Sequence, residues 1–219
     1  MQPLITGKNT IIMQTVDLSC ASCGAGITRE MRQCEYCGRA VVIENFASLK
    51  NIDNKSIMLL SRQIEAGNIT TVCSGGDAAQ SVPEYAGAFS LACCYLRLGL
   101  YDKALVFFEK AMDYGSGNPE TYFLASVAML KGKKPFLHPM ALIKKALEYL
   151  NAAEMLEPRS DFSLLTAFIK YDFFHRKCLH IEPSWQCELQ KAVDLGVSYE
   201  SALDLFDLLK SDIPDVFLG

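Results

Sequence analysis

Cys20, Cys23, Cys34 and Cys37 stand as Cys-x2-Cys, ten intervening residues, then Cys-x2-Cys, and a glycine follows each pair at once (Gly24, Gly38). Two thiolates three residues apart can both sit about 2.3 Å from one ion only across a tight backbone turn, which a following glycine permits. Two such pairs fill all four positions of a tetrahedron, so the pattern predicts one structural Zn2+ ion with no position left for a reactive water. Thioredoxin-like redox chemistry uses a single Cys-x2-Cys at the start of a helix, and no helical pattern follows either pair. Structural disulfides need an oxidising compartment, whereas the chain opens Met-Gln-Pro-Leu without a leader pattern and carries an odd count of nine cysteines. An iron–sulfur cluster shares the four-thiolate donor set, but the paired glycines and the ten-residue spacer suit tetrahedral zinc better.

The elements that must hold these sulfurs are short. Residues 10–17, 27–33 and 39–44 are rich in β-branched side chains and read as strands flanking two knuckles. A module over residues 1–48 is too small to bury a self-sufficient core, so the metal would supply stability that apolar burial cannot. The segments Cys20-Ala-Ser-Cys-Gly-Ala and Cys34-Glu-Tyr-Cys-Gly-Arg-Ala-Val-Val-Ile resemble the short zinc ribbons at the ends of many bacterial multidomain proteins, over about residues 16–44. That resemblance implies a fold and a metal; ribbons of this kind bind nucleic acid, bind protein, or cap a larger domain.

Residues 49–83 read as a connecting helix and linker. Asp53 or Asn54 can cap a helix through Ile57, Leu60 and Ile64, Gly67-Asn68 supplies a stop, and Ser74-Gly-Gly-Asp reads as a turn or flexible link. From residue 84 to 219 the period becomes helical and repeats. Ala104-x3-Phe108-x2-Ala111, Ala146-x3-Leu150-x2-Ala153 and Trp185-x3-Leu189-x2-Ala192 are one small-large-small stripe at spacings of 42 and 39 residues. A first helix precedes each stripe, over 84–98, 120–130 and 161–174, and Ser198 can cap a last helix through Leu203, Phe206 and Leu209. The expected fold is a small β zinc ribbon joined to an all-α domain of antiparallel helix pairs.

The run Ala92-x2-Tyr95-x3-Gly99-x-Tyr101-x2-Ala104-x3-Phe108-x2-Ala111 resembles the tetratricopeptide repeat. The second pair keeps Ala125, Gly132, Ala146, Leu150, Ala153 and Pro158 around an insertion over 133–140, and the third places Trp185 where the repeat has a small residue. The resemblance implies that the first helices line a groove for a partner peptide or helix. By motif position that groove would show Phe89, Cys93, Leu96, Tyr122, Ser126, Met129 and Phe168. The charged clamp that such repeats use for peptide carboxylates has no counterpart at these positions, so an apolar segment is the expected occupant.

Half of the residues are apolar and a fifth charged, as in a globular chain with a real core, and the expected location is cytoplasmic. Residues 1–50 carry five Lys or Arg against four Asp or Glu; the remainder is acidic, which disfavours nucleic acid as the main partner. His175, Cys178, His180 and Cys187 offer four potential ligands in thirteen residues, though their spacing matches no knuckle and Cys178 and Cys187 read more simply as buried small hydrophobes. Lys131, Lys133, Lys134, Lys144 and Lys145 form a basic cluster with His138, read as a solvated surface. A phosphate-cradling glycine loop, Gly-x-Ser-x-Gly and His-Glu-x2-His are all missing from the sequence, and Cys93 and Cys94 fall mid-helix where thiols are inert. The expectation is a protein-binding adaptor rather than an enzyme. The alternative is nucleic-acid binding by the ribbon through Arg29, Arg32, Tyr36 and Arg39.

Overall fold

The computed structural model describes residues 18–20, 23–27, 33–41, 46–66, 69–70, 72–74, 84–115 and 117–218. They fall into two compact units that divide between residues 116 and 117, inside the span read from the sequence as one helical domain.

The first unit carries the cysteine knuckles, a connecting helix and one helix pair. Strands β1 (Leu18–Cys20), β2 (Gly26–Ile27) and β3 (Ala40–Val41) are very short. Helix α1 (Asn54–Glu65) starts where Asp53 accepts hydrogen bonds from the Ser56 amide and hydroxyl, and it buries Ile57, Leu60 and Ile64 as its period requires. The segment after it supplies two further strands, β4 (Ile69–Thr70) and β5 (Val72–Ser74). β5 pairs antiparallel with β1, and β4 pairs parallel with β3, so the stretch read as a linker is strapped onto the knuckles at its start. The β-branched run Ile-Thr-Thr-Val over 69–72 was the available signal. Residues 75–77 of the expected flexible link and the rest of the linker to 83, the expected strand over 10–17, and residues 28–32 and 42–44 of the other two expected strands lie outside the described residues.

Helices α2 (Glu84–Arg97) and α3 (Tyr101–Asp113) pair across a three-residue turn in which Gly99 takes φ +73°. The second unit holds two more such pairs, α4 (Pro119–Leu130) with α5 (Met140–Leu156) and α6 (Ser160–Ile169) with α7 (Trp185–Asp194), followed by α8 (Tyr199–Leu209) and a short α9 (Asp215–Leu218). Ser198 caps α8 in a reciprocal box with Ser201, and α9 brings Phe217 into the core beside Trp185 and Phe206.

The three small-large stripes lie inward. Ala104, Phe108, Ala111, Ala146, Leu150, Ala153, Leu189 and Ala192 are all buried, while Trp185 is half-buried against Tyr171. The second helix of each pair is therefore amphipathic, with one buried stripe and a wet face. The first helices differ: nine of the twelve residues of α4 and eight of the ten of α6 are buried, so these helices are enclosed on nearly every side. Beyond Ile169 the expected helix continues as a π turn (Lys170–Phe174) and a 3-10 turn (His175–Lys177). The insertion over 133–140 is an ordered 3-10 turn (Pro135–Leu137) whose Phe136 amide donates to the buried Asp172 carboxylate at 2.7 Å.

Candidate metal centre

Each knuckle is built by the same two backbone bonds. The Cys20 amide donates to Ala25 O and the Gly24 amide to Cys20 O, both at 2.8 Å; the Cys34 amide donates to Arg39 O at 2.9 Å and the Gly38 amide to Cys34 O at 2.8 Å. Closing these loops puts Gly24 at φ +72° and Gly38 at φ +71°, the left-handed region where a side chain strains the backbone. A Cβ at Gly24 would meet nothing, so the requirement there is conformational rather than spatial. The Gln33 side-chain amide donates to Gly38 O across the second loop, and β1 aligns Cys20 opposite Val72 of β5.

The four sulfurs lie within 4.8 Å of one another, with Cys20 Sγ 3.7 Å from Cys37 Sγ and Cys23 Sγ 3.6 Å from Cys34 Sγ. A tetrahedral ion with metal–sulfur bonds of about 2.3 Å sets its ligands about 3.8 Å apart, because the edge of a tetrahedron is about 1.6 times its centre-to-vertex distance. The observed separations match that edge, are too long for a disulfide of about 2.05 Å, and are too close for thiolates spread over the irons of a cluster. Both of these contacts run between knuckles, as expected if each loop supplies one end of two opposite edges. The four cysteines can hold a metal ion.

Burial divides the four cysteines. Cys20 and Cys34, the first of each pair, are buried; Cys23 is exposed and Cys37 half-buried, which leaves one side of the site open for an ion to enter. A hydrogen bond from the backbone at Ala25 lowers the Cys23 pKa, but desolvation and the crowded sulfurs of Cys34, Cys37 and Cys20 together push it up to about 12. A divalent cation among the sulfurs inverts that balance by favouring thiolates.

The other candidates fare differently. Phe89, Cys93, Leu96, Ser126, Met129 and Phe168, expected to line a groove, are buried; Phe89 packs on Phe108, Phe168 on Phe206, and the Ser126 hydroxyl donates to Phe123 O at 2.7 Å. Only Tyr122 is half-buried, its ring edge-on to Tyr149. The cause is composition: helices apolar around their whole circumference are enclosed, leaving no side free to form a groove wall. Cys93 and Cys94 have no exposed surface, and burial pushes the Cys94 thiol up to about 12, far from a nucleophile's range.

The described structure does not gather His175, Cys178, His180 and Cys187. His175 stacks on Tyr171, His180 Nε2 lies 3.2 Å from Glu182, and the two cysteines are exposed rather than buried, because the chain turns through left-handed φ at Cys178 and Cys187 takes an exposed position in the first turn of α7. Lys131, Lys133, Lys134, Lys144 and Lys145 are exposed. Of the ribbon's expected nucleic-acid contacts, Tyr36 is 75% exposed and Arg39 is exposed, while Arg29 and Arg32 lie outside the described residues. Among the described residues no helix is long and apolar enough to cross a membrane.

Sequence reasoning missed the pairing of Lys170 with Glu188, both buried, at 2.5 Å. The signal was a lysine in an otherwise apolar helical run. No family model, no curated protein and no solved structure matches this chain.

Proposed function

We propose that the chain is an interaction adaptor: a zinc ribbon whose single Zn2+ ion is structural, joined to helix pairs of the tetratricopeptide type that contact another protein, working in the reducing cytoplasm. The sulfur spacing supports zinc, because four thiolates at a tetrahedral edge suit a borderline-soft d10 ion and leave no coordination position open for catalysis. Among the described residues Cys93, Cys94, Cys178 and Cys187 form no disulfide, which fits a reducing compartment.

The observation that carries the adaptor reading is apolar surface held in water on an ordered helix: Met155 and Leu156, adjacent at the end of α5, are 88% and 50% exposed. Contact is thereby assigned to the outer helices and not to the enclosed first helices. The test is cross-linking and capture from the native cell with the parent chain and with Met155→Glu/Leu156→Glu. A protein captured by the parent and lost by the variant supports the reading; identical capture by both refutes it.

A second reading, nucleic-acid binding, is favoured by the exposure of Tyr36 on the second knuckle with Arg39 close in sequence. Gel shifts over a salt series decide it, since phosphate contacts weaken steeply with salt and Tyr36→Ala should weaken stacking; absent or salt-insensitive binding dismisses it.

A further inference from the structure

Lys170 opens the π turn at the end of α6, and π turns concentrate at functional sites. Lys170 is 5% exposed, its ammonium donates to Glu188 Oε1 at 2.5 Å and to Pro183 O at 2.9 Å, and Glu188 is 7% exposed. Burying an ammonium and a carboxylate costs enough that an apolar pair of the same volume would join α6 to α7 at least as well. The pair is better explained by what adjoins it, a cavity of about 430 Å³ within the second unit, in the size range of small-molecule sites.

The polar wall of the cavity comprises Asn151 and Glu154 of α5, Lys170, Glu182 of the loop before α7, and Cys187, Glu188 and Lys191 of α7; Glu182 is exposed at the rim, its carboxylate 3.2 Å from His180 Nε2. Glu154 is spent: one oxygen accepts from the Ser163 hydroxyl at 2.8 Å and the other from Lys191 at 2.5 Å. The remaining capacity is mixed in sign. Glu188 keeps its second carboxylate oxygen, Lys191 keeps two of its three N–H donors, and Asn151 brings an amide. Leu147 and Ile181 supply apolar wall. A ligand of one charge would meet its own sign beside its partner here, whereas a molecule carrying both charges satisfies both.

We propose that this cavity binds a small zwitterion, an α-amino acid or dipeptide, with its ammonium on Glu188, its carboxylate on Lys191 and an apolar side chain against Leu147 and Ile181. The site is on the face of the second helices, and it does not depend on the adaptor reading.

The experiment is calorimetric titration of the full zinc-loaded chain with L-leucine and with L-alanyl-L-leucine, and in parallel with N-acetyl-L-leucine and L-leucinamide. At least one zwitterion should bind with a dissociation constant of about 1 mM or tighter, and blocking either end should weaken binding about tenfold or more. Lys191→Ala should abolish the preference for leucine over leucinamide, and Glu188→Gln the preference for leucine over N-acetyl-leucine. Should Glu188→Gln fail to fold, Lys191→Ala and Asn151→Ala, both at more open positions, carry the test, with Asn151→Ala expected to weaken the zwitterion severalfold. Absence of heat with both zwitterions, blocked derivatives that bind equally well, or a carboxylate preference that survives Lys191→Ala would each overturn the proposal.

Discussion

Withdrawing the metal should open the knuckles and leave the helices standing. The sulfur separations of 3.7 and 3.6 Å imply an ion-to-sulfur distance of about 2.2–2.3 Å on dividing by the tetrahedral ratio, the value expected for zinc thiolates. β1, β2 and β3 have three, two and two residues, well below the usual strand of about 5–6, so they cannot hold themselves closed. At a free zinc level about a thousandfold above the dissociation constant, linkage supplies about 4 kcal/mol. That corresponds to about a thousandfold in protection of amides whose exchange requires the ribbon to open. Four amides report on it directly, those of Cys20, Gly24, Cys34 and Gly38, because each is bonded inside a knuckle. Hydrogen exchange with and without a chelator should show these four accelerating by about that factor, while amides of α4 and α6, enclosed by their own apolar neighbours, change by less than about threefold. X-ray absorption on the loaded protein should return four sulfurs at about 2.3 Å. Knuckle amides that stay protected after one equivalent of zinc has left would refute the reasoning, as would material that carries no metal at all.

Three further outcomes are expected. Lys170→Met and Glu188→Leu should each cost about 3–5 kcal/mol in urea denaturation, because each strands a buried charge, while the double variant should return to within about 1 kcal/mol of the parent; additive losses would contradict the pairing. Asp172→Ala removes the acceptor of the Phe136 amide and the partner of Arg176, so it should cost about 1–3 kcal/mol and speed exchange over 135–137. Burial pushes both the Cys94 thiol and the Tyr95 phenol up to about 12, from ordinary values of 9.0 and 10.0, Tyr95 being raised further by donating to the Glu65 carboxylate. Folding holds both groups neutral, so their stabilisation is whole below about pH 9 and is lost as pH climbs towards 12. The denaturation midpoint should fall over that window, less steeply in Tyr95→Phe, and a thiol reagent at neutral pH should modify Cys178 and Cys187 but spare Cys93 and Cys94 until the chain unfolds.

The gathering of the four cysteines, the cap of α1 at Asp53 and the three inward stripes were legible because each rests on local chemistry. A Cys-x2-Cys-Gly knuckle needs only its own backbone, and a stripe such as Ala104, Phe108 and Ala111 is marked by the polar residues that flank it. The pairing of β5 with β1 was not legible in the same way: fifty-two residues separate Cys20 from Val72, and a three-residue strand carries too little pattern to outweigh the adjoining Ser-Gly-Gly-Asp turn signal. Tertiary pairing, not propensity, decides such a strand.

The enclosed helices show where periodicity fails and something else takes over. In α4 the run Tyr-Phe-Leu-Ala-Ser-Val-Ala-Met-Leu is apolar in every direction, so no polar edge tells which side meets a neighbour, and a groove assigned to Tyr122, Ser126 and Met129 could equally have been core. Charges inside such runs carry the missing information, because a buried charge must find a partner and the partner must come from another element. Lys170 finds Glu188, eighteen residues on, and Asp172 finds the Phe136 amide, thirty-six residues back. Those two anomalies fix what the apolar pattern leaves undecided: the first fastens α7 and the loop before it against the end of α6, and the second explains why the insertion between α4 and α5 is ordered. In an array of apolar helices, the isolated charge is therefore the more informative residue, and in this chain Lys170 also lines a cavity of about 430 Å³.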